Sequence, residues 1–295
     1  MTEHPAPARE PAAALLEVRG LSVRYGSHAA AVRGASVSIA AGEQVALVGE
    51  SGSGKTSLAM AVAGFLGGGA VVEADALRFD GADLDRTVRA GVPRRTPGMT
   101  VVFQDAMTSL DPVWTVGSQL VTVIRSARRC GRAEAVGAAR DWLVRVGLTD
   151  TRRVLRSRPY ELSGGMRQRA MLALALAGAP RLLIADEPTS ALDASLSRTV
   201  MELLRDLTAA SGTSLLVVSH DIGLCQEFSD RMLVMYRGEI VDEGRSRSLA
   251  ETARHPYTHG LLRCVPDLEA RHLDRLPTLD ALRAADAALA GTSVA

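Results

Sequence analysis

Short apolar runs recur along the chain at Gln44–Val48, Met99–Phe103, Leu182–Asp186, Leu215–Ser219 and Met232–Tyr236. Runs this brief, apolar at nearly every position, suit central strands of a parallel sheet covered on both faces. Between them lie stretches of helical composition. Ser57–Phe65 and Met166–Ala177 are apolar and Ala-rich, and the segment between Gln104 and Ser163 is rich in Ala, Arg and Val. The expectation is an α/β fold with a mainly parallel sheet. Leu16–Ala40 with Leu77–Asp80 is expected to form an antiparallel β part, and about 105–175 a helical subdomain. The longest uncharged run, Thr56–Val72, is broken by Gly64 and by Gly67-Gly68-Gly69. It reads as a buried helix running into a loop, not as a span of ~20 apolar residues.

Composition narrows the class. The chain has 295 residues, 47% apolar and 23% charged, enough for a full core in one large domain or two small ones. No half is repeated. The formal net charge is +1, which gives no electrostatic footprint for nucleic acid. Residues 1–14 are rich in Pro and Ala without an apolar h-region. They are expected to be a disordered leader and not a signal peptide. Cys130, Cys225 and Cys264 lie far apart with no metal spacing and receive no role. Lysine is more telling. Of the 34 basic residues only Lys55 is lysine, so it marks a place where a compact ammonium is needed and a planar guanidinium will not serve.

Lys55 completes Gly49-Glu50-Ser51-Gly52-Ser53-Gly54-Lys55-Thr56, a full G-x-x-x-x-G-K-[ST] pattern between an expected strand and an expected helix. Glycines let such a loop curl so that backbone N–H groups face phosphate oxygens, and the helix N-terminus adds positive potential. Lys55 would neutralise the outer phosphates, and Thr56 would offer its hydroxyl to Mg²⁺. A Gly-Ser turn with an incidental lysine is the plain alternative, and the flanking elements weigh against it.

The run Leu182–Asp186 ends in two acids, Asp186 and Glu187, followed by Pro188. The carboxyl end of a central parallel strand is where open α/β sheets bind ligands. Asp186 would serve Mg²⁺ through water, and Glu187 would polarise an attacking water. Taken alone, an N-cap acid before the next helix is a comparable reading. The phosphate loop shifts the balance to function.

Leu162-Ser163-Gly164-Gly165-Met166-Arg167-Gln168-Arg169 then resembles the LSGGQ signature of ABC ATPases, with Met166 in place of the commonest Gln. A Ser-Gly-Gly turn opening a helix is a second anion site by the same physics. The resemblance runs from about Leu16 to about Leu262. It implies an ATP- and Mg²⁺-dependent ATPase in which Ser163, Gly164, Gly165 and Met166 close over ATP held by another subunit. Asp193, in Ser190-Ala191-Leu192-Asp193, then crosses the dimer interface. Tyr25 matches the aromatic that stacks on adenine, though a turn aromatic is the simpler reading of that residue alone. Gln104 matches the Q-loop residue that contacts Mg²⁺ and water. His220 matches the histidine at the γ-phosphate, a role resting on the ordered set of motifs. The nucleotide set thus comprises Tyr25, Gly49, Glu50, Ser51, Gly52, Ser53, Gly54, Lys55, Thr56 and Ser57. The catalytic set is Glu187, His220, Gln104 and Lys55, and the metal set Thr56, Gln104 and Asp186.

Two stretches are similar to the dipeptide, oligopeptide and nickel importer ATPases: Val102–Val113, with Ala106 where Pro is usual, and His255–Leu262. The resemblance therefore implies an importer ATPase domain over 15–262 with a partly disordered extension over 263–295. It implies a second ATPase subunit, of a different chain, and two integral permeases at the cytoplasmic face of the membrane. A substrate-binding protein acts indirectly, and nucleic acid is not a partner. Peptide is the expected cargo, with nickel chelates, another small solute or export as alternatives. A soluble ABC protein of translation or repair would carry two halves or long insertions. A non-hydrolytic module would lack Lys55, Glu187 or His220.

Overall fold

A computed structural model describes residues 14–67, 69–84, 96–103, 109–190 and 192–264. Two sheets enclose one helix. The larger has six strands: β3 (Gln44–Val48), β7 (Met99–Val102), β8 (Leu182–Asp186), β9 (Ser214–Ser219), β10 (Arg231–Tyr236) and β11 (Glu239–Arg245). Their order is β11-β10-β3-β9-β8-β7. β10, β3, β9, β8 and β7 pair in parallel, and β11 returns antiparallel on the edge. Every residue of β3, β8 and β9 is buried, the pattern that coverage on both faces demands.

The smaller sheet is antiparallel. It holds β1 (Ala14–Tyr25), β2 (Val32–Ala40), β4 (Ala70–Glu73), β5 (Ala76–Phe79) and β6 (Ala82–Asp83). The order is β2-β1-β5-β6, with β4 also on β1. Helix α1 (Lys55–Ala63) is apolar around its circumference because it packs between the sheets. Its Leu58–Ala63 share a core with β1, β2, β3 and β8, and such all-round apolarity signals a fully buried helix.

The helical stretch resolves into α2 (Val116–Arg128), α3 (Arg132–Arg145), α4 (Thr151–Arg156) and α5 (Gly164–Ala177). Leu120, Ile124, Trp142, Leu143, Leu172 and Leu176 build its core, which runs on into Leu183 and Ala185 of the sheet. Helices α6 (Ala194–Ser211) and α7 (Ile222–Phe228) flank the sheet. The short α8 (Leu249–Thr252) and α9 (Pro256–Arg263) follow β11, with Leu249, Tyr257 and Leu261 on Ala46, Val48 and Val234. Among the described residues no helix is long and apolar enough to cross a membrane.

The expected strands appear, with small shifts of boundary. β7 stops at Val102 and leaves Phe103 outside it. The expected helix Ser57–Phe65 starts two residues earlier and ends at Gly64, which takes the left-handed conformation that closes a helix. The end of the run expected as loop, up to Val72, lies instead in strand β4, held by pairing to Ser22–Tyr25.

Candidate nucleotide site

The phosphate loop bridges the end of β3 and the start of α1. Two of its glycines are enforced by close backbone neighbours. A Cβ on Gly49 would lie 2.2 Å from the Met235 carbonyl oxygen, and one on Gly54 would lie 2.3 Å from that of Ala31. Both also hold positive φ, 152° and 104°, which side chains tolerate poorly. The Ser53 N–H donates to the Glu50 carbonyl at 3.2 Å, and the Gly238 N–H reaches the Ser53 carbonyl at 2.8 Å. The loop is thereby held both from within and from the β10–β11 turn.

Lys55 is 4% exposed. Its ammonium donates to the carbonyls of Gly49 at 2.8 Å and Glu50 at 2.7 Å. Burial pushes its pKa below the ordinary 10.5, while Glu187, Asp186 and Glu50 pull it back up. The Ser53 hydroxyl is buried and has no hydrogen-bond partner among the described residues. An orphaned polar atom inside a glycine cradle is costly unless a ligand meets it. Beside it, Tyr25 ends β1, and its hydroxyl donates to the Ser57 hydroxyl at 3.1 Å on the first turn of α1. Tyr25 is 37% exposed. Ser51, Gly52 and Thr56 are exposed.

Parallel pairing of β3 with β9 and of β9 with β8 carries the two acids to the same end of the sheet as the loop. Asp186 is 7% exposed and accepts the Thr56 hydroxyl at 3.0 Å. Burial raises its carboxyl above the ordinary 3.8. The Thr56 bond and Lys55 oppose that rise, and Glu187 adds to it. Glu187 sits at φ 47°, uncommon for a residue with a side chain. Its N–H donates to the Val218 carbonyl at 2.8 Å. The Ser190 N–H and hydroxyl both donate to its carbonyl at 3.2 Å. So fixed, the Glu187 carboxylate faces His220, 3.4 Å from Nδ1. The structure therefore brings Lys55, Thr56, Asp186, Glu187 and His220 to one rim. Gln104 lies outside the described residues.

The Ser-Gly-Gly turn is a separate feature. Ser163 caps α5, its hydroxyl accepting the Met166 N–H at 3.4 Å. Gly164 and Gly165 open that helix, and a Cβ on either would meet nothing within 4 Å. Asp193 is exposed and caps α6, accepting the Leu196 N–H at 2.9 Å, so the chain gives it a local structural task. Sequence reasoning passed over Gln168. It is 6% exposed on the otherwise apolar face of α5, and its amide donates to the Pro188 carbonyl at 2.6 Å. The turn's helix is thereby tied to the segment that follows the two acids. Arg167 and Arg169 flank it, so the sequence alone does not single it out. The bond between Glu50 and Tyr257 was passed over too.

Comparison with known proteins agrees with this geometry. The profile of the ABC transporter family matches residues 32–190, and a profile described as an AAA domain matches residues 155–226. The dipeptide transport ATP-binding protein DppD of Escherichia coli (strain K12) is 40% identical over 271 residues, covering 90% of this chain and 82% of that protein. The oligopeptide transport ATP-binding protein OppD of Mycobacterium bovis is 42% identical over 267 residues, covering 89% of this chain and 44% of its own length. Among solved structures, cbiO1 from Clostridium perfringens, part of the ABC transporter complex cbiONQ, superimposes with a TM-score of 0.68 at 25% identity. That match covers 85% of this chain and 95% of that one. The ATP-binding cassette MJ0796, a dimer bound to ADP and Pi after hydrolysis, gives 0.63 at 25% identity over 79% and 99%. A loop that grips a lysine beside paired acids at one end of a parallel sheet defines a P-loop ATPase. The chain belongs to the ABC transporter ATP-binding family, the ABC ATPases.

Proposed function

We propose that this chain powers import of peptides, hydrolysing ATP at a site built on the Lys55 loop. The observation that carries the hydrolytic part is the Thr56–Asp186 hydrogen bond at 3.0 Å beside a buried lysine held by loop carbonyls. It sets two hard oxygen donors next to a phosphate cradle. The peptide part rests on the relatives, which are named as dipeptide and oligopeptide transport proteins.

Each residue has a stated task. Lys55 exchanges its two carbonyl partners for phosphate oxygens, which are charged and therefore stronger acceptors. The Ser53 hydroxyl and the N–H groups opening α1 supply further donors, and Tyr25 covers the base. Thr56 and Asp186, with Gln104, would hold Mg²⁺, which when bound neutralises charge on the phosphate oxygens. Glu187 takes up the proton of the attacking water, and His220 beside it steadies charge on the transferring group.

The ATPase domain is proposed to span 15–262. Around Gly164 and Gly165 lies open space that no atom of the described residues fills within 4 Å of a built Cβ. That supports Ser163, Gly164, Gly165 and Met166 closing on ATP held by a second ATPase subunit, with Asp193 at the interface. Two integral permeases would hold the pair at the cytoplasmic face of the membrane, and a substrate-binding protein would supply cargo. ATP binds the closed pair more tightly than the open one and so drives closure.

Glu187→Gln in the assembled transporter tests this reading. ATP binding persists, turnover at this chain's own site falls by about 10²-fold or more, and uptake of a short labelled peptide falls with it. Turnover at the parent rate would remove Glu187 as the base. Peptide uptake that continued while turnover was lost would remove peptide as the cargo.

A further inference from the structure

Helix α9 touches the phosphate loop. Tyr257 of α9 is 7% exposed, and its hydroxyl accepts the Glu50 N–H at 2.9 Å. Its ring stacks on Tyr236, centroids 4.1 Å apart and planes at 23°. Tyr236 ends β10, next to the Met235 carbonyl that bars a side chain at Gly49. The helix has its own anchor on the sheet. The Asp242 carboxylate of β11 accepts the N–H groups of Arg254 and His255 at 2.9 and 3.0 Å, and His255 Nδ1 accepts the Tyr257 N–H at 3.1 Å.

The N–H that Tyr257 holds belongs to the Gly49–Glu50 peptide. The carbonyl of that same peptide, on Gly49, accepts the Lys55 ammonium at 2.8 Å. A peptide unit is planar and trans, so its N–H and C=O point opposite ways and turn together. A hydroxyl gripping one end therefore sets the direction of the carbonyl that Lys55 grips at the other. Gly49, at φ 152°, has the rotational freedom that makes such a grip worth having.

We infer that Tyr257 is a positioning residue for nucleotide binding. Through the Gly49–Glu50 peptide it holds the loop and Lys55 in place before the triphosphate arrives. The inference rests on Gly49–Thr56 being the nucleotide loop. Without the hydroxyl, the Gly49–Glu50 peptide loses that hold, and part of the cost of ordering it falls on binding. It follows that a displacement of α9 is felt at Lys55, which makes the segment carrying it a lever on nucleotide affinity.

The test uses the full-length chain titrated with a fluorescent ATP analogue. Tyr257→Phe keeps the ring stack and removes only the hydroxyl; Kd should rise about 3- to 10-fold, the worth of one hydrogen bond. His259→Ala, on the exposed side of the same helix, should leave Kd at the parent value. Lys55→Ala should abolish binding. A purely structural role for Tyr257 would lower the unfolding midpoint of Tyr257→Phe and leave Kd unmoved, and that result overturns the inference. So would an equal loss of affinity in His259→Ala. Parent-like binding by Lys55→Ala would instead bring down the loop assignment, and this inference with it.

Discussion

The phosphate loop and the Ser-Gly-Gly turn are both glycine-bearing turns that open a helix, yet the chain constrains them very differently. At the loop, a side chain on Gly49 or Gly54 would strike a backbone carbonyl at 2.2 or 2.3 Å. Lys55 is buried between two carbonyls, and Tyr257 and Gly238 brace the loop from behind. The chain's own packing requires nearly every feature. At the turn, Gly164 and Gly165 face open space. Ser163 makes an ordinary cap that Thr or Asp would make as well. Nothing among the described residues asks for two glycines there, which is what the proposed role toward a second subunit requires. One glycine turn is shaped from within, and the other is left open by its own surroundings.

Placing the same substitution at both turns is the strongest way to break this comparison. Gly54→Ala forces a Cβ into the Ala31 carbonyl at positive φ and should lower the unfolding midpoint by roughly 5 °C or more. Gly164→Ala sits in the first turn of a helix with room around it. It should leave the midpoint unchanged or raise it slightly, since Ala is favoured over Gly in helices by up to about 1 kcal/mol. Thermal unfolding of the two variants checks the pair, and equal losses would erase the distinction.

A smaller effect sharpens the account of the loop's acidic neighbour. Asp186 has its pKa raised by burial, so the fold favours the protonated carboxyl. Its contribution to stability is thus fully present below the unfolded value near 3.8 and is lost as pH rises through the folded value. At neutral pH in metal-free buffer the buried carboxylate is a cost. Asp186→Asn should then raise the unfolding midpoint modestly at pH 7, with the gain vanishing on acidification below pH about 4. A midpoint lowered at pH 7 would show that the Thr56 bond outweighs burial.

Much of the frame was legible in the sequence, for a physical reason. Strands buried on both faces carry apolar residues at nearly every position, as Gln44–Val48 and Leu182–Asp186 do, and the loop pattern states its own backbone needs. β4 escaped because three glycines before it read as loop, and its pairing to β1 is tertiary. β11 escaped because its seven residues are half-buried or exposed throughout, so it shows neither an apolar run nor an alternation. The Tyr257–Glu50 bond joins residues 207 positions apart, and no local pattern encodes it. His255–Leu262 was legible as a mark of the importer group but not as a support for the loop. Gln168 escaped because Arg167 and Arg169 flank it, and its bond to the Pro188 carbonyl is tertiary.

The central claim is that the turn at Ser163 serves a nucleotide bound by another subunit. The direct measurement is ATP turnover in the assembled transporter with this chain's own site silenced by Glu187→Gln, comparing Ser163 with Ser163→Arg. The account predicts that the remaining turnover, which belongs to the partner's site, falls to background while this chain's own nucleotide affinity stays unchanged. Turnover that continued at the same rate with arginine at position 163 would contradict it.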